Sequence, residues 1–512
     1  MALDRRKTAA AWSQAAAKQT SLLGPNRFRF LNREFSLESD GWNDPARDKL
    51  WLYNLHYFDD LVAGDAPSRR AWHVDLIRRW IAENPPGQGN GWEPYPISLR
   101  LVNWVKWALG DWLPNSRVPV PLPEEMLRSL AVQARLLSKR LEYHLLGNHL
   151  WANAKALVFA GLFFQGVEAE KWLSRGLKIL GSELREQILP DGGNFERSPM
   201  YHAIILEDLL DLMNLLRTYG RDIPVDWEDA YIRMRAWLKA MTHPDGEIAL
   251  FNDAAFGIAA SEKELDAYAD RLRLSRQEYP PRPLTRFPET GYVRCEKGAA
   301  VLLLDVAPVG PDYIPGHAHA DTLNFELSLF GRRMIVDTGT STYEKNAERQ
   351  RQRGTAAHNT VQIDGEDSSE VWGGFRVARR ARPFGLETGE SSGKVRVACS
   401  HDGYRRLPGK PVHRREWQLS EAELLIRDTI EGTFREAVAR YHFHPEVQVE
   451  LAGAEEGRGI LPDGKVFSFR VDNGTPRLVD TTWHPEFNVS LPNRCLEVIF
   501  DGPVAKVWFS WD

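Results

Sequence analysis

The sequence predicts an α+β protein in which a helical domain is followed by an antiparallel β-sandwich domain. Apolar residues recur at helical spacing over the first half of the chain, and they alternate with polar residues over short segments of the second half. At 512 residues the chain is also too long for a single core. We expect an N-terminal extension over residues 1–45, a helical domain over 46–285 and a β-sandwich over 286–512.

The helical half contains at least six apolar or amphipathic segments, among them LIRRWI, ISLRLVNWVKWAL, HLWANAKALVFAGLFF and ILEDLLDLMNLLRTY. Segments rich in proline, glycine and aspartate separate them, such as ENPPGQGNGWEPYP and LPNSRVPVPLPEE. This pattern is typical of helical hairpins. We expect the hairpins to surround a central axis, with the loops at one end forming a cleft.

The pattern changes at the proline-rich segment YPPRPLTRFPETG near Pro280, which is typical of a domain boundary. Short segments with alternating or continuous apolar residues follow, including TLNFELSLF, RRMIVDTG, NTVQIDG and KVRVACS. Many short strands without intervening helices predict antiparallel sheets packed as a sandwich.

Charge and cysteine content exclude several classes of function. The 65 basic and 70 acidic residues give a formal net charge of -5, so no global positive field indicates a nucleic-acid partner. A polyanionic substrate would need a locally basic cleft. Residues 349–353 and 376–382 are candidates for it, although both are equally consistent with solvated strand edges. Cys295, Cys399 and Cys495 are widely spaced and predict buried free thiols rather than disulfides or a cysteine zinc site.

The sequence predicts neither a membrane span nor an export signal. The longest apolar stretch, Ala156 to Phe164, has nine residues, about half of what a bilayer crossing requires. Residues 1–19 include basic residues but no apolar segment of signal-peptide length. We therefore expect a cytoplasmic protein, or a periplasmic or secreted one from which a signal peptide has been removed.

Tryptophan is abundant, with 18 residues, many of them in the helical half. Aromatic rings stack on the apolar faces of sugars, but large helical proteins also use tryptophan as core filler. The sequence leaves both interpretations open.

The densest cluster of polar residues lies in the β half. His317 and His319 are two residues apart and would share one face of a strand, and Asp337 and His358 lie at later strand ends. These residue types suit Zn²⁺, but the spacing alone does not bring them together. Surface or hydrogen-bonded histidines are the alternative.

Two polar insertions interrupt the helical half. Asn148 and His149 stand just before an apolar helix, a position suited to a helix cap or to a ligand contact. Glu196, Tyr201 and His202 precede or open a later helix, where orphan N–H groups favour an anion. A plain N-cap at Asn148 and a half-buried structural tyrosine at Tyr201 are the alternatives.

In their order, GNHLWANAKAL, ERSPMYH and GHAHADTLNFEL resemble the three signature segments of heparinase II/III-type polysaccharide lyases. The following IVDTGT and RGTAAHNTVQIDG look like the core of the family's β domain. The resemblance covers roughly residues 50–400. It implies an incomplete (α/α) toroid joined to an antiparallel β-sandwich, with an acidic polysaccharide bound between them and cleaved by β-elimination at a uronic acid.

The resemblance also implies roles for individual residues. Asn148 matches the residue that neutralises the substrate carboxylate, Tyr201 the acid/base tyrosine and His317 the catalytic histidine. Without an export signal, such a chain would serve capsule, exopolysaccharide or O-antigen production.

A metal triad is implied as well. His319, Asp337 and His358 match a site described for some members, usually for zinc. A structural divalent ion there, most simply Zn²⁺, would fix the strand that presents His317. No organic cofactor is expected.

The chemistry explains why these residue types are needed. The C5 proton of a uronate is weakly acidic because the adjacent carboxylate resists more negative charge. An amide such as Asn148, helped by His149, can hydrogen-bond that carboxylate as enolate character develops. A base then takes the proton and an acid protonates the leaving oxygen. Tyr201 and His317 can share these roles, or Tyr201 alone can perform both if the two protons lie on one face of the sugar ring.

Other residues are candidates for substrate contacts. Arg100 would supply a cation, although a structural ion pair is equally consistent with it. The complete set of expected substrate-binding residues is His149, Glu196, His202, Arg100, Trp92 and Asn103.

Two other functions remain compatible with the sequence. One is a glycoside hydrolase on the same helical scaffold, with Asp191 and Glu196, or Glu196 and Asp253, as acid and base. The other is a non-catalytic glycan-binding or assembly factor in polysaccharide biosynthesis. The joint presence of Asn148, Tyr201 and the two histidines at their motif positions favours the lyase.

Overall fold

The computed structural model describes residues 3–37, 41–110, 122–275 and 282–512. The predicted boundary residue Pro280 and most of the loop LPNSRVPVPLPEE lie outside the described residues. The chain divides into two compact units. The first comprises Met1–Ile188, Ala203–Ile232 and Lys263–Arg276, and the second comprises Leu189–His202, Arg233–Glu262 and Gln277–Asp512.

Ten α-helices occur within the described ranges, nine of them before residue 275, as the periodicity of the apolar residues predicts. Their bounds are α1 Lys49–Tyr57, α2 Arg70–Glu83, α3 Pro94–Leu109, α4 Glu124–Leu137, α5 Gly147–Phe163, α6 Val167–Gln187, α7 Pro199–Thr218, α8 Val225–Ala240, α9 Glu262–Arg271 and α10 Ala347–Arg353.

The hairpin of α5 and α6 shows how the helices of the first unit pack. A Cβ atom added at Gly161 would lie 2.5 Å from the backbone nitrogen of Leu173, and one added at Gly176 would lie 2.8 Å from the carbonyl oxygen of Ala154. The two helices therefore approach more closely than any larger residue at these two positions would allow.

Most tryptophans of this unit fill its core. Trp80, Trp104, Trp107 and Trp151 are fully buried, so the structure favours the core-filler interpretation for them.

The strands form antiparallel sheets, and three short ones belong to the first unit. The bounds are β1 Leu22–Gly24, β2 Arg27–Phe30, β3 Arg33–Ser36, β4 Leu284–Phe287, β5 Tyr292–Lys297, β6 Ala300–Asp305, β7 Phe325–Leu329, β8 Arg332–Ile335, β9 Val361–Ile363, β10 Val371–Trp372, β11 Arg376–Val377, β12 Pro383–Ser391, β13 Lys394–His401, β14 Val412–Leu419, β15 Glu423–Glu431, β16 Ala437–His442, β17 Gln448–Leu451, β18 Glu456–Ile460, β19 Val466–Asp472, β20 Gly474–Trp483, β21 Leu491–Phe500 and β22 Val504–Trp511.

The second unit is built from three larger sheets that share one core. A five-stranded sheet has the order β4-β5-β6-β7-β8, an eight-stranded sheet the order β12-β13-β14-β15-β22-β19-β18-β17, and a four-stranded sheet the order β20-β21-β16-β9. Inward-facing residues of all three, such as Leu302, Ile426 and Val498, belong to one buried apolar cluster. Alternation of buried and exposed residues along β14, β15 and β22 matches the half-buried pattern that the sequence predicts.

The predicted fold class, a helical region followed by antiparallel sheets, is confirmed. The three cysteines are free and buried, also as predicted. Among the described residues, no helix combines the length and the apolar character that a membrane crossing requires.

Two segments group differently from the sequence-based division at residue 285. Residues 189–202, which include Tyr201, and residues 233–262 belong to the second unit together with the β strands. Hydrogen bonds of Arg197 tie the first segment to the strands: its Nε donates to the carbonyl oxygen of Thr290 (3.0 Å), and its carbonyl oxygen accepts from the Tyr292 hydroxyl (2.7 Å). Tyr201 and His317 therefore lie in the same unit.

Candidate active site

A buried carboxylate, Asp253, is the centre of the polar cluster in the second unit. It is fully buried, and Arg349 donates to both of its oxygens. His317 Nδ1 lies 2.9 Å from Oδ2 and His319 Nε2 lies 2.9 Å from Oδ1. One carboxylate thus contacts both histidines of the HxH segment.

The charge of Asp253 fixes the tautomers of these histidines. Burial alone would raise the pKa of Asp253, but the Arg349 guanidinium and the two histidine hydrogen bonds hold it well below its usual range. An ionised carboxylate only accepts hydrogen bonds. His317 therefore donates from Nδ1 and His319 donates from Nε2. His319, which burial keeps neutral, has its lone pair on Nδ1.

Tyr201 is placed by the start of α7. The Ser198 hydroxyl accepts from the Tyr201 backbone N–H (3.2 Å) and donates to the Asp253 carbonyl oxygen (2.6 Å). Ser198 is thus an N-cap that also ties the helix to the Asp253 loop. The preceding residue, Arg197, has φ of 60°, a left-handed conformation that turns the chain into the helix.

The Tyr201 and His317 rings lie against each other. Their centroids are 4.0 Å apart and their planes are inclined by 32°. The Tyr201 hydroxyl lies 3.2 Å from the Tyr343 hydroxyl, and the Phe375 ring packs edge-on against His317 at 6.1 Å. Glu196 Oε2 is 3.7 Å from His317 Nε2, so a buried carboxylate stands beside that ring nitrogen.

Three buried donor atoms next to this pair could hold a metal ion. His319, Asp321 and His358 each offer one ligand atom, and these atoms lie within 4.8 Å of one another. His319 Nδ1, Asp321 Oδ2 and His358 Nε2 are buried and make no hydrogen bond to any residue that the structure describes. Burial lowers the pKa of His319 to about 3, which keeps its ring neutral as a ligand requires. Orphaned lone pairs of this type and number fit a divalent cation.

The predicted triad contains Asp337, whereas the mutually close ligand atoms belong to His319, Asp321 and His358. Asp337 Oδ2 accepts from His358 Nδ1 (2.7 Å) and from Asn324 Nδ2 (2.5 Å), and its Oδ1 accepts from the Gly339 N–H (2.9 Å). Both oxygens are therefore already engaged. Asp337 orients His358 so that its Nε2 lone pair faces the other ligands, a supporting role typical of metal sites.

Asn148 and His149 lie in the first unit, at the start of α5. The Asn148 side chain is half-buried and hydrogen-bonded to the Tyr95 hydroxyl. The His149 ring packs on the Tyr95 ring at 4.5 Å, and its Nδ1 is 3.3 Å from Glu142 Oε2. Leu146 has φ of 56° and Gly147 has φ of 52°, so the chain makes a strained turn just before Asn148.

Three residues that were expected to contact substrate have structural roles instead. The fully buried Arg100 donates to the carbonyl oxygens of His56 (3.2 Å) and Gly91 (2.7 Å), and its guanidinium lies 3.8 Å from the Trp80 ring centroid. Trp92 is buried and donates to the Asn84 carbonyl oxygen. Asn103 is buried and donates to the Tyr57 carbonyl oxygen and to Asp59. Their polar groups are used inside the helical core.

His202 is also used internally. It is fully buried, its Nδ1 accepts from the Asn194 N–H, and its Nε2 donates to the Met234 carbonyl oxygen. Its ring packs on Trp237 with centroids 4.4 Å apart. His202 therefore fixes the segment that carries Glu196 and Tyr201 rather than reaching outwards.

The carboxylate pairs of a glycoside hydrolase find little support here. Asp191 Oδ2 accepts from the backbone N–H groups of Glu289 (2.9 Å) and Thr290 (2.8 Å), which makes it a loop anchor. Asp253 is held ionised by Arg349 and cannot serve as a general acid.

Sequence patterns do not identify several residues of this cluster. The sequence indicates Asp253 only as a possible hydrolase carboxylate, and Arg349 only as part of a basic run. Asp321 lies within GHAHADTLNFEL and Tyr343 follows IVDTGT by three residues, but only their contacts distinguish them. No spacing signal connects Asp253 with His317 and Arg349, which are 64 and 96 residues away along the chain.

Comparison with known proteins agrees with this arrangement. The model of the heparinase II/III N-terminus matches residues 50–274, and the model of the heparinase II/III-like C-terminal region matches residues 279–510. Together the two models account for most of the chain. The chain belongs to the heparinase II/III-type family of polysaccharide lyases, as the three signature segments predict.

Individual relatives are distant. FtsZ-localized protein C of Caulobacter vibrioides is 26% identical over 454 residues, covering 84% of this chain and 75% of that protein. A heparin-sulfate lyase of Bacteroides stercoris is 26% identical over 380 residues, covering 64% of this chain and 56% of the lyase. The chain thus spans little more than half the length of that lyase. The crystal structure of heparinase III superimposes with a TM-score of 0.74 at 20% identity, covering 93% of this chain and 80% of that one.

Replacing Asp253 tests its central role. Asp253→Asn should lower the free energy of unfolding by about 3–5 kcal/mol, because the buried Arg349 loses its counter-charge. Urea denaturation measures this. Glu450→Gln, which breaks an exposed pair with Arg458, is the control and should leave the free energy almost unchanged. If Asp253→Asn lowered the free energy of unfolding as little as the control does, the central role of Asp253 would be contradicted.

The buried His202 predicts a pH dependence of stability. Burial lowers its pKa to about 4, below the value of about 6.5 in an unfolded chain. The unfolded state therefore binds the proton more readily, and stability is full above pH 6.5 and falls towards pH 4, by up to about 3 kcal/mol from this residue. His202→Gln should reduce the slope of unfolding free energy against pH between 6.5 and 4. An unchanged slope would show that His202 does not titrate in this way.

Proposed function

We propose that this chain is a polysaccharide lyase that cleaves an acidic, uronate-containing glycan by β-elimination. The observation that carries the proposal is the contact of the Tyr201 ring with the His317 ring, whose Nδ1 is held by a hydrogen bond to Asp253. Membership of the heparinase II/III-type family and the relatives named heparin-sulfate lyase support the same reaction class.

In this reaction His317 Nε2 accepts the C5 proton of the uronate, and the Tyr201 hydroxyl donates a proton to the bridging O4. The C4–O4 bond breaks while a double bond forms between C4 and C5. Neutral imidazole and the tyrosine hydroxyl are the protonation states that these two roles require. Asn148 hydrogen-bonds the uronate carboxylate and thereby stabilises the enolate character that develops there.

Asp253 and Arg349 have a positioning role in this proposal. The carboxylate keeps His317 in the tautomer that presents a lone pair on Nε2, and it stabilises the imidazolium after proton transfer. Arg349 holds the carboxylate ionised in a dry environment. Glu196 Oε2, 3.7 Å from Nε2, adds negative charge beside the imidazolium that the proton transfer creates.

A structural cation is part of the proposal. His319, Asp321 and His358 would hold a divalent ion, most simply Zn²⁺, given two imidazoles and one carboxylate. When bound, it supplies positive charge that fixes the backbone segments carrying these ligands, and His317 lies two residues from one of them. The proton transfers themselves are assigned to protein side chains.

A non-catalytic glycan-binding or assembly factor is the second candidate. The similarity to FtsZ-localized protein C extends over more of this chain than the similarity to the lyases does. The name of that relative refers to localisation with FtsZ and not to a lyase reaction.

Product chemistry separates these candidates. Heparan sulfate, hyaluronan, chondroitin, alginate and polyglucuronate are incubated with the protein, and absorbance of an unsaturated uronate is followed in the ultraviolet. A lyase produces this chromophore. Cleavage without a chromophore indicates a hydrolase, and binding without cleavage indicates the assembly factor.

Tyr201→Phe should reduce kcat by about 10²–10⁴-fold with KM nearly unchanged, because it removes a positioned acid and leaves the ring in place. Tyr219→Phe is the control, since its hydroxyl is similarly buried but makes no hydrogen bond within the described chain. His317→Ala should lose activity to a comparable extent. Activity of Tyr201→Phe within a few-fold of the parent would remove Tyr201 from the mechanism.

The metal assignment has its own test. His319→Ala, Asp321→Ala and His358→Ala should each abolish zinc binding and lower the melting temperature, because binding only to the folded state adds to stability. Asp337→Asn should keep the ligands but weaken affinity about 10–100-fold. His144→Ala, at an exposed position, is the control. Elemental analysis that finds no divalent ion in protein prepared with zinc would contradict the assignment, without affecting the lyase proposal.

A further inference from the structure

The hairpin of β10 and β11 borders the His317 site and has two different faces. Val371 pairs with Val377, and Trp372 pairs with Arg376. Val371 and Val377 are buried in a small apolar cluster with Val309, Ala318 and Ala320. Because successive side chains of a strand point to opposite faces, the same register turns Trp372 and Arg376 outwards.

The hairpin is held firmly by α10, the helix that also supplies Arg349. Gln350 Nε2 donates to the Val371 carbonyl oxygen (2.7 Å), and Arg349 Nε donates to the Gly374 carbonyl oxygen (3.1 Å). Arg353 reaches the Arg376 carbonyl oxygen (3.4 Å). The outward-facing pair is thus carried on a backbone with a fixed position.

Phe375 links this pair to the catalytic histidine. Its ring is 6.1 Å from the His317 ring and 5.4 Å from the Tyr343 ring, measured between centroids. Arg376 follows Phe375 directly, so their Cα atoms are about 3.8 Å apart. Trp372 is the cross-strand partner of Arg376. Trp372 and Arg376 therefore belong to the same short hairpin as Phe375, whose ring contacts His317.

Trp372 is unusual for its exposure. Its surface is 55% exposed, whereas most tryptophans of the protein are core residues. The guanidinium of Arg376 lies 6.0 Å from its ring centroid, at the outer limit of a cation–π contact, so most of the ring face is open. The open indole face and the Arg376 guanidinium together form an aromatic and cationic surface on the hairpin.

The ion pairs of the neighbouring arginines indicate which of them is available to bind an anionic ligand. Arg379 pairs with Glu370, and Arg380 and Arg382 pair with Asp312. Arg376 alone of the four arginines in the 376–382 run has no carboxylate partner among the described residues. A second exposed aromatic residue, Tyr313, follows Asp312 on the loop that Arg380 holds by a 2.9 Å hydrogen bond.

We propose that Trp372 and Arg376 form a sugar-binding subsite adjacent to His317, in which the indole stacks on the apolar face of a pyranose ring and the guanidinium binds a uronate carboxylate. Carbohydrate rings offer a flat apolar face to an aromatic ring, and a planar guanidinium matches a carboxylate in charge and geometry. The subsite rests on the proposed lyase function, since it binds a sugar of the chain that His317 and Tyr201 cleave. It contributes to binding of a polymer and takes no part in proton transfer.

Steady-state kinetics on the best polymeric substrate of the glycan panel test the subsite in the full chain. Trp372→Ala should raise KM about three- to tenfold with kcat within about twofold, and Trp372→Phe should recover most of the loss. Arg376→Gln should raise KM as well, by an amount that shrinks as salt increases, because only the ionic contact is screened.

Phe384→Ala is the matched control. Phe384 is 44% exposed on the same unit and has Arg405 at 5.5 Å from its ring centroid, so it reproduces an exposed aromatic and arginine pair away from the hairpin. Its KM should equal that of the parent. An unchanged KM in both Trp372→Ala and Arg376→Gln, or an equal rise in the control, would overturn the subsite.

Direct binding separates failure of the subsite from failure of the lyase proposal. Calorimetric titration of the parent and of Trp372→Ala with polyglucuronate and heparan sulfate, and with neutral dextran for comparison, requires no turnover. Weaker binding of the acidic glycans by the variant supports the subsite even if no glycan is cleaved. Binding of neither glycan by the parent, or equal binding by both proteins, overturns it and assigns the exposed ring to another partner.

Discussion

The candidate site depends on one buried ion pair, that of Asp253 with Arg349. Two opposite charges in a dry interior are costly to desolvate, and the cost is offset only where every remaining lone pair and proton finds a partner. Asp253 meets this condition, because Arg349 and two histidines surround its two oxygens. The same carboxylate also holds the two histidines of the HxH segment by different ring nitrogens. His317 donates through Nδ1 and His319 through Nε2.

The helix α10 extends the influence of this pair. Arg349 and Arg353 are four residues apart and therefore lie on the same face of the helix, and both are fully buried. Arg349 holds Asp253, while Arg353 donates to the carbonyl oxygen of Ala318, between the two histidines. One turn of helix thus fixes the carboxylate, the HxH backbone and, through Gly374, the β10–β11 hairpin.

The fold was predictable from the sequence because periodicity reports which face of an element is buried. Helical spacing in segments such as ISLRLVNWVKWAL and alternation in KVRVACS were sufficient for the helices and strands. The ordered signature segments identified Tyr201 and His317 as candidate catalytic residues, and their rings are in contact in the structure. Asp253 and Arg349 could not be foreseen, since they come from loops and a helix far apart in sequence and their importance exists only in their convergence.

The surroundings of a polar side chain cannot be deduced from its residue type. Arg100, Trp92 and Asn103 looked suited to a sugar acid, but residue type does not reveal whether a polar group faces solvent or a backbone carbonyl within a core. Asp337 shows the same limit, because a carboxylate next to a histidine is equally suited to ligate a cation and to orient the imidazole that does. Hydrogen bonds distinguish these cases and sequence spacing does not.

The two basic runs, 349–353 and 376–382, show that the number of arginines in a segment does not give its net positive charge. Residues 349–353 read as a solvated basic patch, yet their two outer arginines are interior groups that hold Asp253 and the HxH backbone. In the run 376–382, Arg379 pairs with Glu370, and Arg380 and Arg382 share the single carboxylate of Asp312. A local positive field for a polyanion therefore cannot come from the number of arginines. It must come from the few whose charge is not balanced, and on this surface Arg376, beside Trp372 and one residue from Phe375, is placed to provide it.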